Sequence, residues 1–222
     1  MIILFGGQKG GTGKSTLVMN LAIERARDGR DVLVVDTDKQ ATASKFAAVR
    51  TAREVAPHIP CVQIFGKDLW KELQHHAERY DDLIVDTRGT DGVELRSAMV
   101  VADMFVSPVQ PAQADLDTLE RVQSIVNEVA TVNPELDSRL VFTRVPTNWV
   151  STDFQDAKAF CADYSEFYIC ATGIRERVAF KRTHTYGTSV TEAETRDVRA
   201  ATELLFLYEE LFNDRGKGSN GQ

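Results

Sequence analysis

The chain has 222 residues, 43% hydrophobic and 27% charged, with a net charge of −7. That length is enough for one α/β domain with a two-sided buried sheet, and that charge disfavours a protein that coats nucleic acid with its whole surface. Cys61, Cys161 and Cys170 are odd in number and lack C-x-x-C spacing, so neither a disulfide framework nor a thiolate metal site is indicated.

Residues 1–5 read as a short buried strand, too short for a signal peptide or a membrane span, so a cytoplasmic protein is the default expectation. Residues 14–27 have helical apolar spacing at Leu17, Val18, Leu21, Ala22 and Ala26. Between them lies Gln8-Lys9-Gly10-Gly11-Thr12-Gly13-Lys14-Ser15-Thr16, a glycine-rich turn from strand to helix. Unpaired backbone N–H groups at a helix start surround a polyphosphate, and glycines let the backbone approach it with no Cβ in the way. Gly10, Gly11 and Gly13 supply that freedom. Lys14 is placed to neutralise the β and γ phosphates, the Ser15 hydroxyl to ligate Mg²⁺, and Thr16 to donate to the α phosphate. The standard pattern G-x-x-x-x-G-K-[ST] departs at its first glycine, where Gln8 stands. Lys9 has two readings: a solvated charge at a loop tip, or a cation that reaches another molecule's phosphates and acts there as arginine fingers do.

Residues 32–35 form a second apolar run that delivers Asp36-Thr37-Asp38 at its end, where ligands bind in open α/β sheets. The bland reading of those two acids is N-capping of a helix over 40–55. His75 and His76 share a helical pattern with Leu69, Trp70 and Leu73, which reads as a surface helix ahead of a metal ligand pair. Residues 83–86 are a third strand ending in Asp86, the pattern of a Walker B aspartate that holds Mg²⁺ through water. Thr87-Arg88-Gly89-Thr90-Asp91-Gly92 follows as a glycine-containing switch segment; Arg88 is either a solvated surface charge or a further cation near the phosphates of a dimer. Residues 104–109 are a fourth strand running into Pro108-Val109-Gln110-Pro111, and helical periodicity covers 115–132. Residues 140–144 are a fifth strand ending in Thr143 and Arg144. The stretch 174–187 carries Arg175, Arg177, Lys181 and Arg182 against one acid, Glu176, with Arg196 and Arg199 further on; a solvated surface is its bland reading. A last helix is expected over 193–212, and the polar, glycine-rich residues 214–222 read as a flexible tail.

The run Lys9-Gly10-Gly11-Thr12-Gly13-Lys14-Ser15-Thr16 resembles the deviant Walker A signature K-G-G-x-G-K-[ST]-T of the ParA/MinD family of dimerising ATPases, in which glutamine is common at the place of Gln8. The resemblance covers about residues 1–190, with its motifs dense in the first half. It implies a single-domain P-loop NTPase over 1–213, an α/β fold whose mostly parallel twisted sheet has helices on both faces, with ATP and Mg²⁺ as cofactors. It further implies that Lys9 crosses to the partner's nucleotide in an ATP-dependent homodimer. Asp38 would position the attacking water, and Asp36 would help Asp86 and Ser15 hold Mg²⁺. Pro108 would lie near the adenine and the dimer interface, and Thr143 and Arg144, through Asn148, would recognise the base. The chain departs from the family at Lys39, where proline is usual, and at Arg88, where proline or alanine is common.

By the same resemblance, Arg175, Arg177, Lys181 and Arg182 bind DNA through phosphate contacts, without sequence preference and with strong salt dependence. No helix-turn-helix precedes the loop, as in short ParA proteins, whose cargo site is recognised by a separate centromere-binding partner of the ParB-like or ribbon-helix-helix kind. The leading expectation is therefore a nucleoid-associated, cytoplasmic ATPase that partitions a plasmid or chromosome. A MinD-like alternative would bind membrane through 193–212, but Glu203, Glu209 and Glu210 suit an anionic bilayer poorly, and packing on the sheet is the preferred reading. Positioners of carboxysomes, chemoreceptor arrays, cellulose synthesis or conjugation complexes share every motif quoted. Metabolic relatives would need further catalytic residues that are not recognisable here, and iron–sulfur relatives need cysteines after the Walker B strand.

Overall fold

The computed structural model describes residues 1–89, 91–147, 153–192 and 197–213. Thr90, Asn148, Arg196 and the expected tail 214–222 lie outside the described residues. In chain order the elements are β1 (Ile2–Phe5), α1 (Lys14–Arg27), β2 (Val32–Asp36), α2 (Thr42–Ala52), β3 (Cys61–Gln63), α3 (Leu69–Ala77), β4 (Asp82–Asp86) and α4 (Val93–Met99). They continue with β5 (Met104–Val109), α5 (Gln113–Leu116), α6 (Leu119–Ala130), β6 (Asp137–Phe142), α7 (Asp153–Cys161), β7 (Tyr168–Ile169), α8 (Val178–Tyr186) and α9 (Val198–Phe212).

Strands that are apolar at every position need cover on both faces, and the alternation of side chains along a strand decides which residue goes where. Ile3, Phe5, Val32 and Val34 face α1, α2, α8 and α9, while Ile2, Leu4, Leu33 and Val35 face the layer of α3, α4, α6 and α7. Among the described residues the seven strands form one sheet in the order β3-β2-β4-β1-β5-β6-β7, and every pairing is parallel. The expected sheet flanked by helices is thus observed. Parallel order gathers the loops after β1, β2, β4, β5 and β6 on one edge of the sheet, with β1 in the middle.

Several boundaries differ from expectation. β3 and β7, with three and two residues, are edge strands with no apolar run to betray them. The helix expected over 115–132 is two helices, broken between Leu116 and Leu119. The strand expected at 140–144 begins earlier, at Asp137, where pairing with Met104 extends the ladder into polar residues. It ends before Thr143 and Arg144, and Arg144 adopts a left-handed backbone (φ 50°). α9 starts at Val198 behind Asp197, whose side chain accepts from the Arg199 and Ala200 N–H groups. Leu204, Leu207, Tyr208, Leu211 and Phe212 are buried in the core, so α9 packs on the sheet. Glu203 and Glu210, expected on its polar face, are buried as well, and Glu210 accepts from the Ala171 and Thr172 N–H groups.

Candidate functional site

The loop after β1 opens α1 at Gly13, whose φ of 88° lies in the left-handed region; a glycine there leaves the first N–H groups of α1 without a side-chain cap. Lys14 follows at once and is only 7% exposed. Its ammonium donates to the Lys9 carbonyl at 2.8 Å and to the Thr12 hydroxyl at 3.4 Å, so it is held inside the curl of the loop. Burial lowers its pKa, against the pull of Asp86, Asp38 and Asp115. An interior cation without an ion-pair partner is costly unless an anion arrives.

The three strand-end acids are used differently. Asp36 is fully buried, and its carboxylate accepts from the Asp38 N–H at 3.0 Å, the Ser44 N–H at 2.9 Å and the Ser44 hydroxyl at 2.8 Å. Part of its role is therefore to tie the first turn of α2 to the strand edge, close to the capping alternative. Asp38 is half-buried, borders the cleft, and accepts from the Gln40 N–H. Lys39 sits exposed in the turn closed by the Ala41 N–H donating to the Asp38 carbonyl, a turn that needs no proline. Asp86 is 1% exposed, and among the described residues neither carboxylate oxygen has a fully formed hydrogen bond, with the Ser15 hydroxyl close by. Burial pushes its pKa up to about 7; Ser15 draws it back, and Asp36 adds to the rise. A buried, orphaned carboxylate beside Ser15 fits a divalent cation of the Mg²⁺ kind, completed by phosphate and water. Among the described residues no three His, Cys, Asp or Glu side chains converge on a metal.

Lys9 does not extend freely. It forms an ion pair with Asp115, which is 2% exposed at the start of the α5–α6 region and also accepts from the Gln110 N–H. Asp115 lies far from Lys9 in sequence and carries no motif that marks it as its partner. Pro108 borders a small hollow together with Gly7, Gln8, Lys9 and Asp115.

Two hollows meet at the loop. A cleft of about 520 Å³ is bordered by Gly10, Gly11, Lys14, Ser15, Asp38 and Arg88, and by Thr16 and Arg144, which also line the second hollow. Next to Thr16, a smaller, partly apolar pocket is lined by Leu17, Thr143, Arg144, Ile174 and Phe180. Thr143 braces the loop, its hydroxyl donating to the Thr12 carbonyl at 2.8 Å, while Arg144 borders both hollows. Thr16 also meets His184 of α8, hydroxyl to Nε2, at 2.9 Å; burial lowers that histidine's pKa. Neither His184 nor its link from α8 to the loop was visible in the spacing of residues.

The four basic residues expected to bind DNA are not equivalent. Arg175 and Arg177 both pair with Glu203, at 3.0 and 2.6 Å. Lys181 is exposed and pairs with Glu176 across the surface, and Arg182 is exposed.

A glycine-rich turn with a buried lysine, at the carboxyl edge of a parallel sheet and beside an orphaned strand-end aspartate, defines a P-loop nucleotide-binding protein. The chain belongs to the CobQ/CobB/MinD/ParA nucleotide binding domain family, whose model matches residues 3–189, and within it the resemblance is to the ParA/MinD ATPases. It is similar to Protein ParA of Rhizobium radiobacter, 23% identical over 205 residues that cover 91% of this chain and 90% of that one. It is also similar to the chromosome-partitioning ATPase Soj of Thermus thermophilus, 29% identical over 161 residues that cover 60% of this chain and 65% of that one. In fold it matches the ATP complex of an aspartate-to-alanine variant of McdA from Cyanothece, with a TM-score of 0.78 at 14% identity over 98% of each chain.

Proposed function

We propose that the chain is a nucleotide-switched partition ATPase: ATP with Mg²⁺ pairs two copies, the pair holds nonspecific DNA of the nucleoid, and a centromere-binding partner triggers hydrolysis and release. The observation that carries this reading is the division of labour between two lysines of one loop. Lys14 is buried under the site of the phosphates, and Lys9 stands at the tip, 43% exposed, on a carboxylate it can exchange for another subunit's phosphates. The near full-length similarity to a ParA protein supports the partition reading.

In this reading the N–H groups at the start of α1 and Lys14 bind the polyphosphate, and Thr16 contacts its α end. Asp38 holds the attacking water. Ser15, with Asp86 and Asp36 through water, would hold Mg²⁺, which when bound supplies charge neutralisation at the β and γ oxygens. The base enters the pocket of Leu17, Ile174 and Phe180, with Arg144 at its rim. DNA phosphates meet Lys181 and Arg182 of each copy, with Arg175 and Arg177 adding less while Glu203 holds them. Leu204, Leu207, Tyr208, Leu211 and Phe212 of α9 lie in the core, which leaves Leu205 and Phe206 as its exposed large apolar residues after Val198, and among the described residues no helix is long and apolar enough to cross a membrane.

Light scattering with a non-hydrolysable ATP analogue tests the pairing. The expected mass is that of two copies, reverting to one for Lys9→Ala while nucleotide affinity stays within about two-fold, because Lys9 lies outside its own subunit's phosphate contacts. A mass that remains at one copy for the parent chain across a wide concentration range would remove the basis of the proposal.

A further inference from the structure

Arg88 follows the buried Asp86-Thr87 pair, and the backbone on both sides of it is fastened. On one side, the Thr87 N–H and hydroxyl both donate to the Phe5 carbonyl, at 3.0 and 2.9 Å. On the other, Gly89 packs so closely on the phosphate loop that a Cβ would overlap the Lys9 carbonyl and come within 2.6 Å of the Gly10 nitrogen. Further along, Asp91 is gripped by Arg96 at 2.8 and 3.1 Å and approached by Arg121 at 3.5 Å. The backbone that carries Arg88 is thus fastened to the loop, while its side chain is exposed and borders the same cleft as Gly10, Lys14, Ser15 and Asp38. Among the described residues no carboxylate pairs with it, although Asp38 lines that cleft too.

The cleft has a direction. Its Thr16 end adjoins the partly apolar pocket of Leu17, Ile174 and Phe180, which suits a base, so the terminal phosphate of a bound triphosphate falls at the other end. That end is where Gly89 touches Lys9 and Gly10. An unpaired guanidinium at this position offers a planar fork of donors that matches a phosphoryl group.

We propose that Arg88 is a catalytic residue supplied in cis, its guanidinium contacting the γ phosphate of the ATP bound to its own chain. The proposal rests on the nucleotide-binding part of the reading above and is independent of DNA or partner. In hydrolysis a water oxygen bonds to the γ phosphorus as the bond from that phosphorus to the β–γ bridging oxygen breaks. The electron pair of the broken bond stays on ADP, and the water's proton passes to solvent. The charge spread over the three equatorial oxygens during that exchange is what Arg88 stabilises, so the chain hydrolyses ATP on its own faster than it would with a neutral side chain here.

The test compares the full chain with Arg88→Ala and Arg88→Lys in ATP turnover without partner or DNA, alongside calorimetric affinities for ADP and for a non-hydrolysable ATP analogue. The expected result for Arg88→Ala is a loss of about 100-fold in kcat, typical of removing one transition-state donor. ADP affinity stays within about two-fold and the analogue's affinity falls, with Arg88→Lys between the two, since a point charge replaces a fork. Unchanged kcat, or equal losses for ADP and the analogue, would overturn the assignment. Mixing Arg88→Ala with Lys14→Ala separates cis from trans: recovery of turnover means that the arginine acts across the dimer and overturns the cis role. A parent chain that binds neither nucleotide would sink the nucleotide reading itself, and the ADP measurement identifies that case.

Discussion

At the carboxyl edge of the sheet, Lys14 and Asp86 are buried and, among the described residues, neither forms an ion pair, whereas at 174–187 the buried part of the charge is balanced, Arg175 and Arg177 sharing Glu203. Both regions are rich in charge, and in sequence both looked like binding surfaces. The difference shows that a count of basic residues is a weaker guide than the state of each charge. A group that the fold buries and leaves unsatisfied lowers stability and is retained for what it binds, while a satisfied one contributes to holding the chain together.

The contrast can be broken first at Lys14. Lys14→Ala removes the main counter-charge of a buried polyphosphate and is expected to weaken ATP and ADP binding by about 100-fold or more, as truncation of one side of a buried charge pair does. Calorimetry reads this directly, and affinity within a few-fold of the parent would place the phosphates elsewhere. Next in size is Glu203→Gln, which removes the carboxylate that Arg175 and Arg177 share and should cost about 2–3 kcal/mol in urea unfolding, the lower end for a partly buried network. Asp86→Asn should do the reverse. The folded pKa of Asp86, about 7, lies above its ordinary 3.8, so between those values the native chain holds a proton that the unfolded chain releases. Stability of the nucleotide-free, Mg²⁺-free chain therefore falls as pH rises through that window. Asp86→Asn should melt higher than the parent at pH 8, by at least about 1 kcal/mol or roughly 2–4 °C, with the gap closing toward pH 4. A variant that melts lower at pH 8 would mean that the carboxylate has a partner after all.

The same contrast explains what was legible in the sequence. The phosphate loop was, because strand, glycines, lysine and helix are contiguous and their chemistry is local. Asp36 and Asp86 were, since an acid at the end of an apolar run must land on the binding edge of a parallel sheet. What escaped are pairings between distant segments: Lys9 with Asp115, Thr16 with His184, Arg175 and Arg177 with Glu203, and Arg50, whose buried guanidinium grips Glu192. Each is made by packing of one layer on another, and no spacing rule encodes it.

The smallest predicted effect concerns the basic segment itself. If DNA phosphates are met by charges that the fold leaves available, Lys181→Ala with Arg182→Ala should lower the affinity of the ATP-bound dimer for nonspecific duplex more than Arg175→Ala with Arg177→Ala. Lys181 is exposed with only a surface ion pair to Glu176, which is worth little, and Arg182 is exposed beside it. Each phosphate contact removed reduces the slope of log affinity against log salt by about 0.9, so two residues in each of two copies set the ceiling on the change. The Arg175 and Arg177 pair should instead reduce stability, because Glu203 is then left buried without its cations. Filter binding across a salt series, run beside urea unfolding on both double variants, separates the two. An equal loss of salt slope from both pairs would mean that Glu203 yields its arginines to DNA, and that the balanced charges of 174–187 belong to the binding surface after all.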